Sequence, residues 1–142
     1  MLLIDVNVLV YAHREDASEH ASYRKWLTGI VAGDAAFGMS ELVLSGFLRV
    51  VTHPRIFKEP TPMSAALAFA EELRDRPNSV PISAGPRHWE IFTRLCREHE
   101  VKGSLVPDAY FAALAIESGS EWITTDRDYA RFAGLRWRHP LL

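Results

Sequence analysis

Short apolar runs alternate with stretches of helical periodicity along almost the whole chain, and this alternation restricts the fold more than any other feature. Leu2-Leu3-Ile4 is continuously apolar and stops at Asp5, the pattern of a strand buried on both faces rather than one with a wet side. A short helix is expected over 6–13. Ser18 can cap a second helix to about residue 31, in which Tyr23, Trp26, Leu27 and Ile30 recur at three- and four-residue spacing and make an apolar face. Residues 35–39 read as a second strand. Ser40 can cap the helix carrying Leu42, Val43, Phe47, Leu48, Val50 and Val51, which His53-Pro54 ends. Thr61-Pro62 opens a helix of small and apolar residues that runs to Arg76-Pro77, and residues 79–82 form a third strand. Pro86 precedes a helix to about residue 100, closed by Lys102-Gly103. Pro107 then opens a helix over 108–117, followed by a strand over 121–125, a short helix over 128–132 and a last strand over 135–137. The order predicts an α/β fold of three layers, α/β/α, with a mostly parallel central sheet and right-handed crossovers. No linker, repeat or low-complexity stretch interrupts it, so residues 1–142 read as one domain.

Three of these segments meet an aspartate where strands end or helices begin. Asp5 follows the first strand, Asp108 lies in the first turn after Pro107, and Asp126 follows Trp122-Ile123-Thr124-Thr125. Ligands of open parallel sheets bind beyond the carboxyl ends of the strands, so these chain-distant carboxylates can converge there. Taken singly, Asp108 could serve only the helix dipole and Asp126 only as a cap. Taken together they must either take up protons or bind positive charge, because two carboxylates about 4 Å apart repel by roughly 4 kcal/mol at an effective dielectric near 20. An all-oxygen set without cysteine, in a chain with no His-x-x-x-His pair, suits Mg²⁺, with Mn²⁺ as the alternative, better than zinc.

Composition removes other classes. Sixteen Lys and Arg against eighteen Asp and Glu give a net charge of −2, so any contact with nucleic acid must come from a local patch. The single Cys96 cannot form an internal disulfide and suits a reducing interior. Asp5 and Asn7 interrupt the apolar run that a signal peptide or membrane span would continue, which places the chain in the cytoplasm, away from membranes.

Leu3-Ile4-Asp5-Val6-Asn7-Val8-Leu9, Pro107-Asp108-Ala109 before an alanine-rich helix, and Thr124-Thr125-Asp126-Arg127-Asp128-Tyr129 resemble, in this order, the successive motifs of PIN domains. The run from Phe47 through His53-Pro54-Arg55-Ile56-Phe57 and the ending Gly134-Leu135-Arg136-Trp137-Arg138 resemble the mycobacterial group of VapC toxins, and the likeness spans essentially the whole chain. The resemblance implies a type II toxin–antitoxin toxin: an endoribonuclease dependent on Mg²⁺ or Mn²⁺, held in check by a VapB antitoxin and assembled as a homodimer. It implies that Asp5, Asp108 and Asp126 are metal-site carboxylates, that Asp128 is a further ligand, and that Asn7 and Thr125 are orienting polar neighbours. It also implies hydrolysis by a metal-activated water that leaves a 5′-phosphate. The family usually carries a Glu inside the helix after the second strand, where this chain has Gly46; Glu41, in that helix's first turn, is the substitute candidate or else serves the helix dipole.

RNA contacts would fall to Arg127 first, then to Arg49 and Arg14, because phosphate contacts supply affinity. The six histidines are scattered, and the four tryptophans read as packing residues rather than a stacking platform. The apolar faces of the helices after Ser40 and Pro62 are candidates for a dimer or antitoxin surface, with ordinary core as the alternative. Two rival functions remain open at this point. One is a catalytically weak PIN-like module that binds RNA or a partner. The other is an aspartyl-phosphate phosphatase, disfavoured because Asn7 stands where a second aspartate is wanted.

Overall fold

A computed structural model describing residues 1–142 shows a five-stranded sheet in the order β3-β2-β1-β4-β5. The strands are β1 (Leu2–Ile4), β2 (Phe37–Met39), β3 (Ser79–Pro81), β4 (Glu121–Ile123) and β5 (Trp137–Arg138). Every pairing is parallel, with Leu3 opposite Gly38 on one side and Trp122 on the other. The sequence predicted a mostly parallel sheet, and the observed one has no antiparallel strand.

Seven helical segments connect the strands: α1 (Val6–His13), α2 (His20–Ala32), α3 (Glu41–Val51), α4 (Met63–Arg74), α5 (His88–Glu98), α6 (Leu105–Ser118) and a 3₁₀ turn over Arg127–Arg131. Crossovers from β1 to β2 and from β2 to β3 travel one way along the sheet, whereas those from β3 to β4 and from β4 to β5 travel the other. With right-handed connections, α1–α4 therefore cover one face and α5–α6 the opposite face. Strand β1 lies where the direction reverses, which opens a crevice beyond the ends of β1 and β4. No helix is long and apolar enough to cross a membrane.

The core is one cluster of 28 buried apolar residues, in which Leu3, Ile4, Leu9, Phe47, Leu95, Leu114, Trp122 and Ile123 are almost wholly enclosed. Much of the apolar face of α3 and α4 belongs to it through Val43, Leu44, Phe47, Val51, Ala66, Ala70 and Leu73, leaving Leu42, Met63 and Leu67 exposed. Trp122 and the partly buried Trp26 and Trp137 pack as expected, but Trp89 is 69% exposed, because the α5 positions facing the core are His88, Ile91 and Leu95.

Two helix starts differ from the sequence reading. Ser18 does not cap α2, which begins at His20 after Glu19 adopts a left-handed conformation (φ 58°). Helix α6 begins at Leu105 rather than at Pro107. The first-turn amides need no intrahelical partner, so proline can sit inside that turn as well as at its opening.

Candidate functional site

Asp5 leaves β1 by donating its backbone N–H to the Ile123 carbonyl (2.9 Å), and its side chain then caps α1 by accepting from Val6 N at 2.6 Å. Its second carboxylate oxygen accepts from the Thr124 hydroxyl at 2.6 Å and from Asn7 Nδ2 at 3.1 Å. Thr124 Oγ1 accepts in turn from Asp126 N (3.0 Å) and Asn7 Nδ2 (3.4 Å), while Asn7 Oδ1 accepts from Thr125 N (3.3 Å). The ends of β1 and β4 are thus stitched together by side chains that use nearly their full hydrogen-bonding capacity. Asp126 caps the 3₁₀ turn by accepting from Asp128 N at 2.9 Å. Asp108, in the first turn of α6, accepts from the buried Tyr129 hydroxyl at 3.2 Å.

Asp5, Asp108 and Asp126 line one cavity of about 420 Å³ together with Val6, Asn7, Val10, Tyr11, Val50, Ile56, Phe57, Phe111 and Tyr129. Burial is the main reason that the Asp5 carboxyl is pushed up to about 6; the hydrogen bonds from Thr124 and Val6 oppose the rise, and the charges of Asp108 and Asp126 add to it. Asp108 is also raised, by burial first and then by repulsion from Asp126 and Asp128, against the pull of Tyr129 and Arg131. Burial first, and then the charges of Asp5, Asp108 and Asp126, raise Tyr129 above its ordinary value, which keeps it a neutral donor. The three aspartates do not close into a ready-made ligand cage: each is held by its own donor, Asp5 by Thr124, Asp108 by Tyr129 and Asp126 by the Asp128 amide. One buried and two half-buried carboxylates that repel one another, with oxygen donors only, are the environment that a hard divalent cation relieves.

The sequence reading and the geometry part at several residues. Glu41 does not reach this cavity: it is exposed, lines two other pockets with Met39 and Pro81, and lies 3.6 Å from Arg74. Further along α3, Gly46 faces Val6 so closely that a Cβ would lie 2.9 Å from Val6 Cγ2, so a larger residue there would have to displace the Val6 side chain. Asp128 is exposed and does not line the cavity. Thr125 contributes its backbone N–H, whereas the hydroxyl that orients Asp5 belongs to Thr124. Arg127 and Arg49 are exposed and form no ion pair. Arg14 is spent within the fold: it binds Asp16 through two nitrogens (2.9 and 2.6 Å), the Glu59 carbonyl (2.8 Å) and Thr61 Oγ1 (3.2 Å), and covers the Phe57 ring at 4.1 Å from its centroid.

Sequence reasoning missed Thr124 and Tyr129. Thr124, the first residue beyond strand β4, is polar yet fully enclosed in the structure, and nothing in the sequence separates it from its neighbour Thr125. Tyr129 lies three residues after the cap Asp126, a spacing that places it under the turn, but nothing in the sequence connects it to Asp108.

The PIN domain family model matches residues 2–135. The chain belongs to the PIN-domain family. This PIN domain is 45% identical over 141 residues to Ribonuclease VapC43 of Mycobacterium tuberculosis, covering 99% of the chain and 96% of that relative. It is 43% identical over 140 residues to Ribonuclease VapC25 of the same organism, with 99% of each covered. Within the family it therefore groups with the VapC ribonucleases. Among solved structures, VapBC2 from Rickettsia felis, bound to a DNA fragment from its promoter, superposes with a TM-score of 0.70 at 18% identity over 97% of both chains. The sarcin-ricin loop cleaving toxin VapC20 of Mycobacterium tuberculosis gives 0.64 at 16% identity, covering 96% of this PIN domain and 99% of that chain. At these identities the superpositions establish the shared fold.

Proposed function

We propose that this chain is a divalent-metal-dependent endoribonuclease, the toxin of a type II toxin–antitoxin pair, acting in the cytoplasm as one domain. The observation that carries the reading is the meeting of Asp5, Asp108 and Asp126 in one cavity at the reversal point of the sheet, in a chain whose relatives are named ribonucleases. Asp5, Asp108 and Asp126 would hold the cation, and Mg²⁺ fits the oxygen-only set best, with Mn²⁺ the alternative. When bound, that ion supplies an activated water and charge neutralisation at the scissile phosphate.

The remaining roles fall to the protein's own groups. Thr124 and Asn7 orient Asp5, Tyr129 orients Asp108, and the Asp128 amide orients Asp126. Asp128 itself stands at the rim, available to a second cation or to none. Arg127 and Arg49 are free to meet phosphates, which a chain of net charge −2 needs at particular points. The likeness to VapBC complexes supports a VapB-type antitoxin as partner, and the exposed Leu42, Met63 and Leu67 offer part of a surface for it or for a second copy.

Cleavage of a mixed RNA pool with Mg²⁺, with EDTA and with Asp108→Asn tests the reading. Discrete products bearing 5′-phosphates, formed only with metal and intact Asp108, are expected. Products ending in 2′,3′-cyclic phosphate would rule the mechanism out. A second reading rests on Gly46 and on the distance of Glu41 from the cavity: a weakly catalytic module that binds RNA. It predicts RNA affinity that survives EDTA and Asp5→Asn without any cutting.

A further inference from the structure

The three aspartates occupy only part of the cavity. Beside them stand Asn7 and Tyr129, which hold those aspartates; most of the remaining wall is apolar and comes from Val10 and Tyr11 of α1, Val50 of α3, Ile56 and Phe57 of the segment after it, and Phe111 of α6. A volume of about 420 Å³ holds on the order of ten waters at roughly 30 Å³ each, far more space than one cation and its remaining ligands require. The metal-site reading therefore leaves most of this space without a purpose.

Phe57 is firmly anchored in this wall. The Arg14 guanidinium lies over its ring at 4.1 Å from the centroid, and Arg14 is itself pinned by Asp16, the Glu59 carbonyl and Thr61. The backbone around it is tied as well: Ile56 N and Phe57 N both donate to the His53 carbonyl at 3.1 Å, and Thr61 N donates to the Val51 carbonyl at 2.8 Å. The ring is partly buried, not enclosed, and Ile56 beside it is 51% exposed. A ring held this firmly at the wall of an open cavity is preorganised to stack, because the ordering cost is met before anything binds.

We propose that the apolar part of this cavity is the seat of one unpaired nucleobase of the RNA substrate, with Phe57 as its stacking platform. This rests on the nuclease reading, which puts a phosphate at the aspartates; the base of the same nucleotide then falls within the same cavity. Few polar groups face the seat, so the base is read by its face more than by its edge. Stacking of that kind tolerates different bases and strengthens with ring area, so purines are favoured over pyrimidines.

The test uses mononucleotides, which a phosphodiesterase cannot cut. 5′-AMP, 5′-UMP and ribose 5-phosphate are titrated into the wild-type protein with Mg²⁺ and again with EDTA, and chemical shifts of Val50, Ile56 and Phe111 are followed by NMR. AMP is expected to bind about tenfold more tightly than ribose 5-phosphate, with UMP between them. Phe57→Leu, which keeps an apolar side chain, should bring AMP to the level of ribose 5-phosphate, and Phe57→Trp should preserve the difference. In cleavage, Phe57→Leu should raise KM with kcat nearly unchanged. If AMP and ribose 5-phosphate bind alike, or Phe57→Leu leaves their difference intact, the base seat is wrong and the wall belongs to a protein partner or to packing. RNA cleavage by the wild type stands apart from that result: it sustains the nuclease reading even when the seat fails, and its absence removes that reading even when AMP binds here.

Discussion

Thr124 shows how much of the site depends on groups that hold the aspartates. Its hydroxyl donates to Asp5 and accepts from the Asp126 amide, so one side chain sets two of the three carboxylates. Tyr129 does the same for Asp108. Outer partners of this kind alter metal affinity by roughly 10–100-fold, so Tyr129→Phe is expected to weaken Mg²⁺ binding by about tenfold while the protein stays folded, as read by metal titration and circular dichroism. Asp5 makes a separate prediction about stability without metal. Its carboxyl rises from 3.8 to about 6 on folding, so below pH 4 both states are protonated and it contributes no penalty. Between pH 4 and 6 the unfolded chain ionises while the folded one keeps its proton, and stability falls. Above pH 6 the full loss of about 3 kcal/mol persists. In EDTA at pH 7.5, Asp5→Asn should therefore unfold at higher denaturant concentration than the wild type, and the gap should close towards pH 4. The aspartates themselves were legible in the sequence because they interrupt apolar runs. Thr124 and Tyr129 were not, since a hydrogen bond across 119 or 21 positions leaves no trace in local periodicity.

At the scale of elements, helical and strand periods located every strand and helix, and their ends were less secure. Pro107 lies inside the first turn of α6 instead of opening it, and α2 starts from a left-handed Glu19 without a side-chain cap, because the tertiary setting, not the cap residue, decided those ends. Helices α1 and α3 meet closely near the site, with Gly46 against Val6. Gly46→Ala would gain helix propensity but must displace Val6, and such overpacking costs typically about 1–3 kcal/mol. A loss of about 1 kcal/mol in chemical denaturation is expected, restored in the Val6→Ala, Gly46→Ala double variant. Additive losses in the double variant would show that the joint is not steric. Glu41 could not be placed from sequence, because its exposed position at the start of α3 depends on how far that helix sits from the cavity.

Across the whole molecule, the net charge of −2 means that RNA affinity comes from individual cations and not from a general field. Arg127→Ala should reduce the salt dependence of RNA binding by about one unit in the log–log slope. Arg14→Ala should leave that slope unchanged, since Arg14 is occupied by Asp16, Glu59 and Thr61, and should instead speed hydrogen exchange in 56–61. Equal slopes for both variants would contradict this division of labour. The alternation of elements made the parallel sheet legible from sequence, whereas the cavity behind the aspartates was not, because chain-distant regions around residues 10, 50–57 and 111 build it. The bond between Asp5 and Thr124 joins positions 119 residues apart, and this separation matters during synthesis. At about 5–20 residues per second, roughly 6–24 s pass between translation of the first aspartate and of the threonine that orients it. For that interval the nascent chain carries Asp5 on one strand of the site without Thr124 and Asp126, so a ribosome stalled before the Thr124 codon would hold a chain whose site is incomplete.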